Sequence, residues 1–255
     1  MAKKITPHIV IIALFAVIAL AFFYPVLQGK GILQSDIAQY TGMAKERNDY
    51  RQTENKETYW TNSAFGGMPT YQLGAQYSND LVKQLDRTLR FLPRPADYLF
   101  LYFVGFYILL LVLKVDYKNA FLGAIAFGLS TYLIIILGAG HNSKAHAIAY
   151  FAPVLAGILM VFQRKYLWGG LLTAVALALE LSANHFQMTY YLLLLVLLLG
   201  AGLLYKAVKE KQLNDFAKAT AVLVGAVVVS VLANSTLLLT TREYADWSTR
   251  SKSTL

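Results

Sequence analysis

Apolar residues along the chain fall into seven stretches separated by polar breaks. A helix needs about 20 apolar residues, within a range of about 17–25, to cross the hydrocarbon core of a bilayer. Seven such stretches in succession leave too little polar surface for a soluble globule, so they predict an all-α polytopic membrane protein. We expect about seven transmembrane helices, with residues 1–255 forming a single transmembrane domain. The stretches are Ile9–Leu27, Tyr98–Leu113, Ala120–Leu137, Ala147–Phe162, Leu167–Ala183, Met188–Tyr205 and Ala219–Leu239.

Composition strengthens this interpretation and excludes several kinds of chemistry. Hydrophobic residues make up 57% of the chain and charged residues only 15%, whereas soluble domains carry about 25% charged residues. The chain has no cysteine. Disulfide scaffolds, iron–sulfur clusters, cysteine-based zinc sites and thiol nucleophiles are therefore excluded.

The net charge of +9 sorts by side of the membrane once the stretches are taken as alternating spans. With the N-terminus inside, the inner segments hold ten basic residues against Asp116, Glu210 and Asp215, as the positive-inside rule requires. This predicts a multi-pass membrane protein with a cytoplasmic N-terminus, and it removes nucleic acid as a partner. The ten basic residues are Lys3, Lys4, Lys114, Lys118, Arg164, Lys165, Lys206, Lys209, Lys211 and Lys218.

The same alternation places residues 28–97 outside as a long first extracytoplasmic loop. A loop of this length is usually functional or disordered, and its aromatic residues argue against disorder. Two amphipathic helices are predicted in it, over Asp36–Lys56 and Ser78–Phe91. In the second helix Leu81, Val82, Leu85 and Leu89 share one face, which suits the membrane interface.

Chemically distinctive residues collect in the predicted outer segments. Asp36 lies nine residues after the first stretch, where a carboxylate can act as a general base or bind a cation. A helix cap or a solvated charge explains the same residue, and the sequence alone leaves both interpretations open. In the next outer break, His141, Lys144 and His146 could bind a phosphate or form an ordinary polar turn. The two histidines lack the i, i+4 spacing of a helical metal pair, so no metal site is predicted there.

Two further outer segments carry polar residues. Glu180 is the only acidic residue inside a predicted span, and such residues usually face a cavity or a partner. Asn184, His185 and Gln187 follow it at the outer end of the fifth stretch. The tail Thr241–Arg250, which includes Arg242, is rich in charge and aromatic residues, and we expect the chain to be a fragment of a longer protein.

Several of these segments together resemble the bacterial YfhO-type membrane protein family. The resemblance covers essentially the whole chain, and the specific parts are Trp60–Tyr71 and Asn184–Tyr191. Family members are considerably longer, which agrees with a missing C-terminal part. The other matching segments are Gln34–Asp36, Gly140–Lys144 and Arg242–Arg250.

The family in turn resembles the GT-C glycosyltransferases, which take a sugar from a polyprenyl phosphate on the outer side of the membrane. The resemblance implies that Asp36 is the catalytic carboxylate. It also implies a polyprenyl-phosphate-linked sugar donor and a glycan or polymer acceptor as partners, besides the lipid bilayer. His141, Lys144 or Arg242 would hold the phosphate, and Asn184, His185 and Gln187 would bind sugar or acceptor. Some GT-C enzymes hold a divalent cation at this Asp and others act without one. The chain has no Asp-x-Asp near Asp36, so the cofactor question stays open.

Two non-enzymatic alternatives remain at this point. A transporter or flippase for a lipid-linked substrate is suggested by the number of helices and by Glu180. Transporters place polar residues at the membrane midplane and often contain internal repeats, whereas here the polar residues lie at the outer ends and no repeat is visible. An envelope-assembly scaffold is the second alternative, and it predicts that Asp36 and His185 tolerate replacement by alanine.

Overall fold

A computed structural model describes residues 2–248, with side chains from Ile5 onward; residues 249–250 of the tail and the side chains of Lys3 and Lys4 lie outside this description. The described chain is almost entirely helical, with one short antiparallel hairpin. The helices are α1 Ala2–Phe22, α2 Tyr24–Leu27, α3 Ser35–Met43, α4 Lys45–Glu54, α5 Leu81–Leu89, α6 Ala96–Val112, α7 Tyr117–Gly128, α8 Thr131–Ala139, α9 Asn142–Ala149, α10 Phe151–Phe162, α11 Tyr166–Ser182, α12 Phe186–Lys209, α13 Leu213–Ala233 and α14 Ser235–Asp246. The strands are β1 Trp60–Thr61 and β2 Met68–Pro69, followed by a 3-10 helix over Thr70–Leu73.

Among the described residues, four helical segments are long and apolar enough to cross a membrane: Ile5–Phe22, Asn142–Phe162, Phe186–Lys209 and Leu213–Ala233. A fifth candidate is the pair α7 and α8, which is bent by 48°. The chain is therefore a helical membrane protein with four or five candidate spans. Two shorter apolar helices, α6 and α11, occupy the remaining predicted stretches.

Helix boundaries differ from the apolar stretches where a polar residue or proline interrupts the helix. The seventh stretch was expected to run to Leu239, but the helix breaks at Asn234. There the Asn234 side chain donates a hydrogen bond of 3.0 Å to the carbonyl of Ala178 on α11. Ser230 similarly donates to the carbonyl of Ala174 at 2.8 Å. These bonds fasten α13 to α11 inside an apolar environment, where a polar side chain gains most from a partner.

Two kinds of contact hold the bundle together. Phe15 of α1 is fully buried, and its ring lies 5.3–5.6 Å from the rings of Phe103, Tyr107 and Phe121 on α6 and α7. Between α10 and α11 the backbones approach closely at Gly157 and Gly169. A Cβ atom on Gly169 would lie 2.6 Å from the backbone nitrogen of Val161. Small residues that permit such close approach are typical of helix pairs in membranes.

Three connections at one end of the bundle share the same turn. Lys114, Arg164 and Lys211 each follow a helix in the left-handed conformation, with φ of 64°, 64° and 56°. In each case the next residue donates a backbone hydrogen bond five residues back, for example from Lys165 to Met160 at 3.0 Å. This is the Schellman motif, and a basic residue there also complements the negative end of the helix dipole. We call this end of the bundle the turn end.

The loop 28–97 packs against the opposite end, which we call the loop end and define by the contacts of loop 28–97 with His141, His146 and Thr241. The predicted helix over Asp36–Lys56 is two helices, α3 and α4, which meet at the buried Ala44. Helix α5 buries Asp86 and packs Val82 and Leu89 against the core, while Leu81 and Leu85 are exposed. Its place at the membrane interface stays a prediction. The hairpin had no sequence signal, since two-residue strands are too short to show alternation.

Candidate functional site

Asp36 is brought to His141 by contacts on either side of both residues. Gln34, which precedes α3, donates a hydrogen bond of 2.6 Å to the carbonyl of Leu137 near the end of α8. Gly140 ends α8 with φ of 85°, and a Cβ atom there would lie 2.8 Å from Cβ of Gln34. Only glycine suits this position. The start of α3 is thereby fixed against the end of α8.

The result is a short contact between two residues that are 105 positions apart. Nδ1 of His141 lies 2.6 Å from Oδ2 of Asp36, and the two side chains are 45% and 47% exposed. A carboxylate only accepts hydrogen bonds, so Nδ1 is the donor when Asp36 is ionised. The pair can therefore orient a carboxylate that is still open to an incoming hydroxyl group, which is the geometry that a general base requires.

Lys144 and His185 lie near this pair. Lys144 is on α9, one turn after His141, and His185 caps the start of α12, where its ring accepts from the backbone nitrogen of Met188 at 3.4 Å. Burial lowers the pKa of His185, and the positive charges of Lys144 and His141 lower it further. Ala147 of α9 packs against Ala183 and Met188, which lie on either side of His185. Helix α9, which carries Lys144, therefore joins the His185 segment to His141, the partner of Asp36.

The other predicted site residues have different surroundings. Asn184 pairs with Thr241 at 3.4 Å, and Arg242, the next residue, is exposed on α14. Gln187 is exposed and donates to the hydroxyl of Tyr191 on its own helix at 2.8 Å. The structure thus groups Asp36, His141, Lys144 and His185. Asn184 and Arg242 lie beside Thr241, and the amide of Gln187 bonds Tyr191.

Loop 28–97 also contacts this second group. Gln72, in the 3-10 helix, donates to the hydroxyl of Thr241 at 3.0 Å. The rings of Tyr71 and Tyr244 meet edge to face with centroids 6.4 Å apart. Tyr40 of α3 donates to the carbonyl of Leu73 at 2.9 Å. The loop therefore links α3, which carries Asp36, to α14, which carries Arg242.

A buried polar network that the sequence analysis did not identify lies beside the site. Asp86 of α5 is 3% exposed and accepts from Nε2 of His146 at 2.5 Å and from the hydroxyl of Tyr150 at 3.0 Å. Arg90 donates to Asp86 through Nε and Nη2 at 2.9 and 2.7 Å, and through Nη1 to Asp97 at 3.1 Å. These bonds fasten α5 to α9 and to the start of α6.

The charge balance of this network keeps Asp86 ionised. Burial alone would raise the pKa of the Asp86 carboxyl, but hydrogen bonds and charge from His146 and Arg90 outweigh it and hold that pKa well below its usual range. The two histidines on either side of Lys144 thus each bind an aspartate of loop 28–97. The exposed pair, Asp36 with His141, is available to a ligand, whereas the buried pair, Asp86 with His146, is enclosed in the fold.

Glu180 is fully buried near the end of α11. The hydroxyl of Thr189 on α12 donates to its two carboxyl oxygens at 2.9 and 3.2 Å. A buried carboxyl group with a neutral hydroxyl as its partner favours the protonated form more than an ion-paired one would. Glu180 joins α11 to α12 below the segment that holds His185.

The described residues offer less for a metal site or for a ligand cavity near Asp36. Within residues 2–248, no three His, Asp or Glu side chains converge as a metal site would require. Two cavities in the described structure lie at the turn end, one of about 100 Å³ near Arg164 and Lys206 and a shallower one beside Thr6 and Tyr117. Asp36 and His141, in contrast, lie on an open surface at the loop end.

Comparison of the chain with protein-family models, with curated proteins and with solved structures finds no match.

Proposed function

We propose that this chain is a YfhO-type, GT-C-like membrane glycosyltransferase. It would transfer a sugar from undecaprenyl-phosphate-sugar to a cell-envelope acceptor on the extracytoplasmic face of the bacterial cytoplasmic membrane. The observation that carries the proposal is the half-exposed Asp36 carboxylate, 2.6 Å from Nδ1 of His141, with Lys144 one turn along α9 from that histidine. An acid that is exposed yet oriented, beside a cation, suits displacement at a sugar with a phosphate leaving group.

In the proposed reaction the acceptor hydroxyl attacks the anomeric carbon of the donor sugar. Asp36 takes the hydroxyl proton as the new carbon–oxygen bond forms, and His141 keeps the carboxylate oriented. The bond between the anomeric carbon and the phosphate oxygen breaks, and its electron pair leaves with the polyprenyl phosphate. Lys144 stabilises the charge that develops on that phosphate. His185, Asn184 and Arg242 would contact the sugar or the acceptor.

The proposal includes a seven-pass arrangement with an extracytoplasmic loop 28–97. Helices α6 and α11 have 17 residues each, which gives about 26 Å at 1.5 Å per residue, and their flanking turns supply the rest of a bilayer core of about 30 Å. Contacts between segments support it. Arg164 bonds Asp215 at 2.6 Å and Gln163 bonds the carbonyl of Val112 at 2.9 Å, so segments assigned to the cytoplasmic side contact one another.

The decisive experiment measures transfer of labelled sugar from the polyprenyl-phosphate donor by the chain reconstituted in vesicles with envelope glycan acceptor. We expect Asp36→Asn to lower turnover by about 10²–10⁴-fold, the usual contribution of a positioned base. Asp49→Asn is the matched control, because Asp49 lies in the same loop with a side chain 54% exposed, against 47% for Asp36. Equal turnover of both variants would remove Asp36 from the reaction.

A transporter for a lipid-linked substrate is the second candidate, and the buried Glu180 is the observation that favours it. A proton-coupled transporter needs a buried group that gains and loses a proton, and Glu180 with its neutral partner Thr189 is such a group. Glu180→Gln keeps the shape and removes the titration. Transport of labelled donor lipid that stops in Glu180→Gln, with no sugar transfer by the unchanged protein, would favour this second function.

A further inference from the structure

The hairpin of loop 28–97 presents two exposed aromatic residues. Its turn runs from Ala64 to Gly67, with a hydrogen bond of 2.9 Å from the Gly67 nitrogen to the Ala64 carbonyl. Phe65 and Gly66 at its centre have φ of 54° and 75°, the type I′ geometry that normally selects Asn-Gly. A phenylalanine in the left-handed region is strained, and such strain clusters at functional sites. The Phe65 side chain is 84% exposed.

Trp60, on the first strand of the hairpin, is held firmly while half of it stays exposed. Its Nε1 donates to Oδ1 of Asn62 at 3.1 Å. A Cβ atom on Gly67 would lie 2.8 Å from Cζ2 of the indole, so the ring lies against the backbone of Gly67. The residue is nevertheless 53% exposed. The indole is therefore fixed on one side and open on the other, without the entropy cost of ordering a free side chain on binding.

The strand that carries this ring is anchored by polar contacts on its other face. Glu46 of α4 accepts from the hydroxyl of Thr61 at 2.7 Å and from the backbone nitrogens of Asn62 and Ser63 at 3.0 and 2.8 Å. Helix α4 carries charged residues along its length, and charges are costly in hydrocarbon. These surroundings disfavour insertion of the hairpin into the bilayer. A fixed ring beside an amide suits a sugar, which presents a face of C–H bonds and an edge of hydroxyl groups.

We propose that Trp60 is a stacking platform for a sugar ring of the acceptor glycan. The C–H face of the sugar would lie on the electron-rich indole face, and the Asn62 side chain, which contacts the indole, would be within reach of its hydroxyl groups. The choice of acceptor glycan as the ligand rests on the proposed function. The hairpin leads directly into the 3-10 helix that Tyr40 binds through the Leu73 carbonyl at 2.9 Å, so the platform adjoins the helix that carries Asp36.

The chain has three tryptophans, which permits a direct test. In a full-chain variant with Trp168→Phe and Trp247→Phe, all tryptophan emission comes from Trp60. The probes are trisaccharides of N-acetylglucosamine, of mannose and of glucose, added to the protein in nanodiscs. We expect at least one probe to lower acrylamide quenching of Trp60 by at least about twofold, because a stacked sugar covers the open face of a ring whose other side lies against Gly67. A variant that keeps only Trp247, which is 87% exposed, should show no protection.

Affinity for the protecting trisaccharide, measured by calorimetry, tests the geometry. Trp60→Ala should weaken binding by about tenfold, the effect of about 1.4 kcal/mol of lost stacking, and Trp60→Phe should recover part of it. Gly67→Ala should also weaken binding although the indole remains, because the added Cβ displaces the ring. If all three variants bind the trisaccharide with the affinity of the unchanged protein, the proposal is overturned.

Three further outcomes separate this proposal from a membrane contact and from the proposed function. Quenching of Trp60 by brominated lipids in the absence of sugar, with no protection by any trisaccharide, would overturn the platform in favour of a membrane contact. Protection of Trp60 in a protein that shows no sugar transfer would support the platform and overturn the transferase function. Transfer that depends on Asp36 without any protection of Trp60 would overturn the platform alone.

Discussion

Replacement of Asp86 by asparagine should strongly destabilise the protein. The Asp86 carboxylate is 3% exposed and accepts hydrogen bonds from His146, Tyr150 and both Nε and Nη2 of Arg90. Removing one partner of a buried ion pair costs about 3–5 kcal/mol, because the other charge stays buried without compensation. Arg90 keeps its bond of 3.1 Å to Asp97, so we expect the lower end of this range, about 3 kcal/mol.

The assay is unfolding of the protein in dodecylmaltoside micelles by increasing fractions of sodium dodecyl sulfate, followed by far-ultraviolet circular dichroism. Asp49→Asn is the control. Its partner is Lys45, the two side chains are 54% and 72% exposed, and such surface pairs contribute about 0–1 kcal/mol. A loss of free energy of unfolding in Asp86→Asn no larger than in the control would refute the assignment of a structural role to this network.

The same variant gives a pH dependence with a definite sign. The pKa of Asp86 is lowered in the folded protein, against the effect of burial, by His146 and Arg90. A lowered pKa contributes stability that is present above the unfolded-state pKa of about 3.9 and is lost as the pH falls below it. The stability difference between the unchanged protein and Asp86→Asn should therefore be constant from neutral pH down to about pH 4 and shrink below that. A difference that already shrinks between pH 7 and pH 5 would contradict this.

Three further predictions concern topology, packing and the charge around His185. Because the chain has no cysteine, an impermeant maleimide applied to intact spheroplasts should label Lys56→Cys but not Lys118→Cys or Lys209→Cys, and labelling of all three would refute the proposed sides. Gly169→Ala should cost about 1–3 kcal/mol by overpacking, since its Cβ would meet the Val161 nitrogen at 2.6 Å, whereas Gly200→Ala, with open space around it, should not destabilise. The pKa of His185 is lowered by burial and by the charge of Lys144, so it should rise in Lys144→Gln when the histidine resonances are titrated by NMR. An unchanged pKa would show that the Lys144 charge does not act on His185.

Features set by local sequence could be predicted, and features set by packing could not. A helix occupies each apolar stretch because hydrophobic length is a local property. Asp36 and His141 were each identified as candidates, but their pairing joins residues 105 positions apart and depends on how α3 meets the end of α8. Asp86 was not identified from the sequence at all. Nothing in the pattern of α5 shows that this helix buries a carboxylate, because two of the partners of Asp86, His146 and Tyr150, come from a distant part of the chain.

The pairing of loop 28–97 with α9 has a consequence for the order in which the protein is made. Asp36 leaves the ribosome 105 positions before His141, and Asp86 precedes His146 by 60 positions. At about 5–20 residues per second, Asp36 waits about 5–20 s for His141. For part of that interval Asp86 and Arg90 lack their partner from α9, so in the proposed topology loop 28–97 crosses the membrane with a buried ion pair still incomplete.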